Sequence, residues 1–298
     1  MAILGKSDLE VGTVSFGCMS LGDNQAQNSQ LLRKAVDHGI RFFDTADLYD
    51  KGINELQVGT ALKEVRKNVI LATKVGNQWR PDGSGWDWNP RKDYILKAVE
   101  QSLKRLKTDY IDLYQLHGGT IDDPIDETIE AFEQLKTQGK IRWYGLSSIR
   151  PNVIKEYIKR SNIVSVMMQY SLLDTRPEEE MLDLLAAQDV GLITRGTTAG
   201  GLLLGKPAKT YLQYTGSEVA RAAKMLAAIA QEMGKEPSQL ALAYVYHHPT
   251  VKTAVIGIRT AEQLDEWVRQ MNDPLVIDAA RLNRLNAVIR KFYYQDHR

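Results

Sequence analysis

Ionisable side chains stand at the ends of successive apolar runs in the sequence. Asp44 closes the second run, Lys74 closes the third, His117 follows the fourth, and Tyr49 comes shortly after Asp44. Taken singly, each residue type has an ordinary explanation: an aspartate caps a turn, a lysine lies exposed, and a tyrosine packs in a loop. Together they put titratable groups where a stable core would place none, which predicts an active site with acid and base groups.

Short strands that alternate with helices must position these residues. Most of the apolar runs lack polar alternation, as expected for parallel strands buried on both faces. The eight predicted strands are Thr13–Phe16, Arg41–Thr45, Val69–Lys74, Ile111–Leu116, Trp143–Ser147, Val164–Gln169, Gly191–Thr194 and Thr253–Ile256. The segments between them have helical spacing, for example Tyr94–Leu106. Helix starts are predicted at Asp123-Pro124, Arg176-Pro177 and Ser217-Glu218.

The regular alternation predicts an α/β fold, a single (β/α)8 TIM barrel over residues 1–298, because no Pro/Gly-rich linker or composition break divides the chain. A Rossmann fold is the competing arrangement, but no G-x-G-x-x-G follows the first strand. Neighbouring barrel strands lie about 5 Å apart. Asp44, Lys74 and His117 can therefore converge at the carboxyl ends, with Tyr49 folding back from its loop.

Both ends of the chain are predicted to add to the barrel. Ile3–Val11 resembles a short hairpin with its turn near Lys6–Asp8, lying across the barrel floor. An extra C-terminal helix is predicted to pack outside the barrel through one apolar face. Its members are Leu282, Leu285, Val288, Ile289 and Phe292.

Composition excludes several classes of protein. The content of 43% hydrophobic and 25% charged residues is that of a globular protein, and the net charge of +1 gives no field to attract nucleic acid. The single cysteine, Cys18, excludes an internal disulfide and a thiolate metal cage, and no HExxH is present, so no metal is expected. No signal peptide and no apolar stretch of about 18 residues is found, so we expect a cytoplasmic protein without a membrane partner.

Four segments carry a resemblance to a known family: Phe43–Tyr49, Thr73-Lys74, Asp109–His117 and Gly145–Ser148. They resemble the aldo-keto reductases, most closely the bacterial members related to general-stress and inositol-utilisation reductases. The resemblance runs over essentially the whole chain. It implies an NADP(H)-dependent oxidoreductase that reduces the carbonyl of a small aldehyde or ketone to an alcohol by hydride transfer.

The resemblance makes Asp44, Tyr49, Lys74 and His117 the catalytic tetrad. Hydride delivered to a carbonyl carbon leaves charge on oxygen, and a free phenol with a pKa of about 10 is a slow proton donor near neutrality. Lys74 beside Tyr49 favours the phenolate, and Asp44 keeps Lys74 charged. A neutral His117 orients the carbonyl oxygen by hydrogen bonding.

The resemblance also implies cofactor contacts. Ser147 and Gln169 hold the nicotinamide carboxamide, and Arg195 replaces the aromatic ring that often lies against the nicotinamide. Lys206 is a charge partner for the pyrophosphate, and Arg259 binds the adenosine 2′-phosphate at a helix start. The full set is Gly17, Met19, Asp44, Ser147, Ser148, Gln169, Arg195, Gly196, Thr197, Lys206, Gly257, Arg259, Gln263, Glu266 and Trp267. Ser148 and Trp267 each replace the family's more usual Asn.

Three alternative functions compete with this one. A slow barrel of the same family could sense redox state through bound NADP as a regulatory subunit, but the intact tetrad favours turnover. A metal-dependent hydrolase needs a His/Asp cluster that the sequence lacks. The run Gly200–Pro207 nearly spells a P-loop but has no Ser or Thr for magnesium. The loop after the third strand has two interpretations: its tryptophans pack the loop, or they form an apolar wall for substrate. These residues are Trp79, Trp86 and Trp88. Substrate identity and oligomeric state are not set by these sequence patterns.

Overall fold

Eight parallel strands close into a barrel in the computed structural model, which describes residues 1–298. Each strand pairs with the next in the chain, and the last pairs with the first, so the sheet has no open edge. The strands are β1 (Val14–Gly17), β2 (Phe42–Asp44), β3 (Ile70–Val75), β4 (Ile111–Leu116), β5 (Ile141–Ser147), β6 (Ser165–Gln169), β7 (Gly191–Arg195) and β8 (Val251–Gly257). The predicted barrel is confirmed, and every strand end falls within two residues of its predicted position.

Ten helices connect or cover these strands. They are α1 (Gln25–Asp37), α2 (Ile53–Leu62), α3 (Lys92–Leu106), α4 (Ile125–Thr137), α5 (Pro151–Arg160), α6 (Met181–Ala187), α7 (Gly216–Glu232), α8 (Pro237–Tyr246), α9 (Ala261–Asn272) and α10 (Ala279–Asn286). None combines the length and apolar character needed to cross a bilayer. The large apolar core lies between the barrel and this helical layer.

The helix start signals are confirmed only in part. Pro124 is the N-cap of α4 rather than a first-turn residue, and Arg176-Pro177 begins a short 3-10 turn ahead of α6. The cap of α7 is Thr215, not Ser217. Thr215 is favoured because Glu218 stands three residues after it, and the two residues exchange hydrogen bonds between side chain and backbone.

The predicted N-terminal hairpin is present, with Ala2–Ile3 paired to Glu10–Val11. Leu4, Leu9 and Val11 are buried in a second core cluster formed with barrel side chains. A side chain at Gly5, where φ is +54°, would collide with the carbonyl oxygen of Val164. The hairpin thus seals the floor by apolar contact, leaving the opposite end of the barrel for polar groups.

The C-terminal helix is shorter than predicted. α10 ends at Asn286, so Val288, Ile289 and Phe292 lie beyond it. The Phe292 ring packs edge-on against Tyr214, with ring centroids 4.7 Å apart, and the Tyr214 hydroxyl donates to the Arg290 carbonyl at 2.6 Å. A helix that continued through this segment could not place both residues in these contacts.

Candidate active site

Lys74 is the buried centre of the site. It lies in β3 with 1% of its surface exposed. Its ammonium donates to Asp44 Oδ2 at 2.7 Å, to the Thr45 carbonyl at 2.7 Å and to the Tyr49 hydroxyl oxygen at 3.3 Å. An ammonium group has three N–H donors. All of them are used, and each acceptor favours the charged lysine.

The Asp44–Lys74 ion pair is shielded from water. Burial opposes the charge on Lys74, but the oxygens of Asp44 and Tyr49 outweigh it and hold the pKa of Lys74 above its ordinary value. Burial also raises the pKa of Asp44, while Lys74 and a 3.4 Å hydrogen bond from Gln115 act against that rise. The pair carries both charges at neutral pH, because neutralising either partner would leave the other buried without compensation.

A tight turn after β2 brings Tyr49 back to Lys74. Asp50, Lys51 and Gly52 all have positive φ, at 49°, 54° and 86°. The left-handed region suits glycine and costs other residues roughly 1–2 kcal/mol each. The chain accepts this strain at the residues that place the phenol, a pattern common at functional sites.

Asn54, the second residue of α2, ties this turn to the barrel. Its Oδ1 accepts from the Thr45 hydroxyl at 2.7 Å, and its Nδ2 donates to the Cys18 carbonyl at 2.9 Å. The Tyr49 hydroxyl accepts from Lys74 and has no other partner within the protein. Its own proton is therefore free for a group from outside.

His117 faces the phenol from the end of β4. The Tyr49 and His117 ring centroids are 6.0 Å apart at 83°. The His117 amide donates to the Val75 carbonyl at 2.8 Å, and its Nδ1 is buried without a protein partner. Burial, together with the positive charges of Lys74 and Arg195, lowers the pKa of His117 to about 3. The ring is neutral at physiological pH and can donate a hydrogen bond without carrying charge.

Three residues expected at the nicotinamide lie at the ends of β5, β6 and β7. Ser147 is buried, and its hydroxyl forms no hydrogen bond within the protein. Gln169 Oε1 accepts from Arg195 Nη1 at 3.1 Å, and Gln169 Nε2 donates to the Tyr211 hydroxyl at 2.7 Å. The carboxyl ends of these strands therefore present one unpaired hydroxyl and one amide held in a fixed orientation.

Other expected residues lie around the same opening. Gly17 is in register with Gly257 on one side and with Asp44 on the other, so bare backbone borders the ion pair. Met19 is 67% exposed just beyond β1. Ser148, which follows β5, accepts from the Arg150 amide at 3.2 Å.

The segment after β7 turns sharply. Gly196 has a φ of +69°, and the Thr197 hydroxyl lies 3.2 Å from that of Thr194. Lys206 folds back over Gly201 and donates to the Gly200 carbonyl at 2.9 Å, without an acidic partner. The lysine charge is thus held close to the turn and remains uncompensated.

Arg259 lies just before α9. Its guanidinium is exposed and forms neither an ion pair nor a side-chain hydrogen bond within the protein. Its amide donates to Gln263 Oε1 at 2.8 Å, and Thr260 caps the helix by accepting from the Gln263 amide. A free cation at the start of a helix of 12 residues is suited to an anion.

Comparison with known proteins decides the family. Residues 9–290 match the model of the aldo/keto reductase family. The chain belongs to this family. It is 47% identical to the uncharacterized oxidoreductase YqkF of Bacillus subtilis, across 99% of the chain and 98% of that relative. Membership makes it an oxidoreductase that uses a nicotinamide cofactor and small carbonyl compounds.

Solved structures agree with this assignment. The holo form of the aldo-keto reductase AKR11C1 from Bacillus halodurans superposes with a TM-score of 0.93 at 47% identity, covering 99% of this chain and 98% of that chain. The apo form of the same reductase gives a TM-score of 0.85 at 45% identity with the same coverage. The chain is therefore more similar to the holo form than to the apo form.

Two residues of the expected adenine contact have other partners in this aldo-keto reductase. Trp267 is 5% exposed because α9 packs its indole into the hydrophobic core, which leaves little of this side chain for the expected adenine contact. The Glu266 carboxylate accepts from the Ser238 hydroxyl at 2.8 Å and from Gln270 at 3.3 Å. Glu266 remains partly exposed and keeps its place in the set.

The tryptophan-rich loop is an antiparallel hairpin, Asn77–Trp79 paired with Trp86–Trp88. Trp88 packs against the core and donates to Asp123 at 2.9 Å, as loop packing predicts. Trp79 donates to the Leu48 carbonyl at 3.3 Å, directly before the active-site tyrosine. Trp86 is 47% exposed. The Trp88 ring lies against Gly76 and Gly118, so loop packing and a place beside the opening are not exclusive for this residue.

Sequence patterns missed Gln115, Asn54 and Tyr211. Gln115 could have been predicted from its position, because it stands two residues before His117 and alternation in a strand puts both side chains on one face. Asn54 and Tyr211 could not, since each acts through contacts that depend on how distant loops fold.

Proposed function

We propose that the chain is an NADPH-dependent reductase of aldehydes and ketones in which Tyr49 is the general acid. The observation that carries this proposal is the set of hydrogen bonds around Lys74. Its donors are all used, so the phenol oxygen accepts from the lysine and directs its own proton outward. When bound, NADPH supplies the hydride that the carbonyl carbon receives.

Each group of the proposed tetrad has a distinct part in this chemistry. Tyr49 delivers a proton to the oxygen on which charge develops, and the fixed charge of Lys74 stabilises the phenolate left behind. Asp44 keeps Lys74 charged and in position. Neutral His117, which faces the Tyr49 ring, donates a hydrogen bond to the same carbonyl oxygen and so orients it.

The residues at the opening fit a phosphorylated nicotinamide dinucleotide. The unpaired Ser147 hydroxyl and the Gln169 amide suit the carboxamide. Lys206, without an acidic partner, suits the pyrophosphate. Arg259 suits the 2′-phosphate, which NADH lacks, so the preference for NADPH rests on this residue.

A panel of aldehydes and ketones, followed by loss of NADPH absorbance with NADH in parallel, tests the proposal. We expect turnover of at least one carbonyl and a KM for NADPH about tenfold or more below that for NADH, equivalent to about 1.4 kcal/mol. Tight NADP binding without turnover of any compound would instead support the regulatory subunit. Equal KM values for the two cofactors would contradict the 2′-phosphate assignment.

A further inference from the structure

Arg195 is a cation without a counter-ion at the opening of the barrel. It is the last residue of β7, its side chain is exposed, and no carboxylate lies within ion-pair distance. Its Nη1 donates to Gln169 Oε1 at 3.1 Å, and Gln169 is held from its other end by Tyr211. The guanidinium is thus fixed against the residue proposed to hold the nicotinamide.

The charge of Arg195 reaches the reaction centre. After burial and Lys74, it is the third cause that lowers the pKa of His117, and it also acts on the carboxyl of Asp44. Lys74 is compensated by Asp44, and His117 is neutral, whereas Arg195 has no such partner. Arg195 is therefore an unpaired positive charge close to where the cofactor ring is expected.

We propose that Arg195 sets the redox preference of the cofactor site, so that NADPH binds more tightly than NADP⁺. This inference rests on the proposed function. The oxidised nicotinamide ring is cationic and the reduced ring is neutral, while the phosphates and sugars of the two cofactors are the same. A fixed cation beside the ring therefore penalises only the oxidised cofactor.

The preference has a consequence for turnover. Carbonyl reduction moves a hydride from the cofactor to the carbonyl carbon and a proton from Tyr49 to its oxygen, which leaves the ring cationic. Because Arg195 repels that ring, it promotes departure of the oxidised cofactor and binding of a fresh reduced one. The site is thereby biased toward reduction in a cell that contains both cofactors.

Dissociation constants of NADPH and NADP⁺, measured by titration calorimetry without substrate, test this role. The variants are Arg195→Lys, which keeps the charge, and Arg195→Met, which keeps the length without the charge. We expect a ratio of the NADP⁺ to the NADPH constant of about tenfold or more in wild type, or about 1.4 kcal/mol. Arg195→Lys retains most of this ratio. Arg195→Met loses it, because NADP⁺ binding tightens and NADPH binding changes little.

Arg269→Met is the matched control, since it removes the charge of an exposed arginine from the last turn of α9, away from the opening, and leaves Arg195 in place. Its cofactor ratio should equal that of wild type. The proposal is overturned if Arg195→Met keeps the wild-type ratio, or if it weakens both cofactors equally, which would make Arg195 a support for Gln169. Failure of the wild-type protein to bind either cofactor would overturn the proposed function itself.

Discussion

Tyr49 keeps one hydrogen-bond donor that no protein group accepts, whereas Lys74 has none left. The aromatic contacts of Tyr49 do not depend on its hydroxyl: its ring lies 5.0 Å from the Lys74 ammonium and 6.0 Å from the His117 ring. Phenylalanine would preserve both contacts. The role of the phenolic proton can therefore be separated from the packing of the ring.

We predict that Tyr49→Phe lowers kcat by roughly 10²–10⁴ and leaves the Kd of NADPH nearly unchanged, because one general acid is lost. Steady-state kinetics and cofactor titration measure the two effects. Tyr94→Phe is the control, since Tyr94 lies outside the tetrad and its hydroxyl donates to the Asn77 carbonyl at 3.4 Å. Near-wild-type reduction of a good aldehyde by Tyr49→Phe would remove Tyr49 from its assigned role.

The convergence of Asp44, Tyr49, Lys74 and His117 could be predicted from sequence, because ionisable residues at the ends of apolar runs are easily recognised by their type. The second acceptor of Lys74 could not, because it is the carbonyl of Thr45 and every residue has a carbonyl. The lack of an ion pair at Arg195 could not be predicted either. Whether a surface arginine pairs with a carboxylate depends on neighbours that are brought together only when the chain folds.

At the scale of elements, the turn after β2 and the start of α9 place the functional groups. The turn holds Asp50 and Lys51 in left-handed conformations, and the Asp50 side chain makes no hydrogen bond or ion pair. The Asp50 side chain therefore makes no polar contact that would offset the free-energy cost of its left-handed backbone. This makes the position suitable for measuring the strain alone.

Asp50→Gly and Asp50→Val should differ in stability by about 1 kcal/mol or more, with glycine the more stable. A left-handed backbone penalises a Cβ, and a β-branched residue most of all, while the added freedom of glycine in the unfolded chain offsets part of the gain. Urea unfolding of both variants measures the difference. We expect Asp50→Gly to keep its kcat; equal stabilities would show that the turn carries no strain.

Arg259→Ala should raise the Kd of NADPH about tenfold or more and hardly change that of NADH. Loss of a charge-assisted contact to phosphate costs on the order of 1.5–3 kcal/mol. Arg269→Ala is the control, because Arg269 lies in the last turn of the same helix, away from its N-terminus. Equal weakening of both cofactors would show that Arg259 supports the helix start instead.

Element boundaries were predictable where local pattern decides them. The strands were found as apolar runs. The end of α10 was not, because the hydrogen bond between Tyr214 and Arg290 joins residues 76 positions apart. The burial of Trp267 was not predictable for a similar reason, since what packs beside a helix face decides whether its residues lie in the core or at the surface.

At the scale of the whole molecule, the two ends of the barrel differ in the side chains that they contain. The hairpin closes the floor with apolar side chains, and the mouth gathers Asp44, Lys74 and His117 from β2, β3 and the end of β4. Closure of the sheet keeps water from the ion pair. The same burial holds His117 neutral, so the site links its protonation to the stability of the fold.

The sign of this linkage is set by a folded-state pKa of about 3 for His117 against about 6.5 for an unfolded histidine. Between these values the unfolded chain binds a proton that the folded chain does not. The contribution of His117 to stability is therefore fully present above pH 6.5 and is lost toward pH 3, by about 1.4 kcal/mol for each pH unit. At pH 5 the loss due to His117 is about 2 kcal/mol.

We predict that His117→Gln removes this part of the acid sensitivity. Urea unfolding at pH 7 and pH 5 should show that wild type loses about 2 kcal/mol more than His117→Gln between the two pH values, whatever the absolute stability of the variant. His38→Gln, which replaces an exposed histidine, controls for the loss of one imidazole and should follow wild type. If His117→Gln and wild type lose the same stability, His117 takes up its proton in the folded state, and its place as a neutral donor to the carbonyl is wrong.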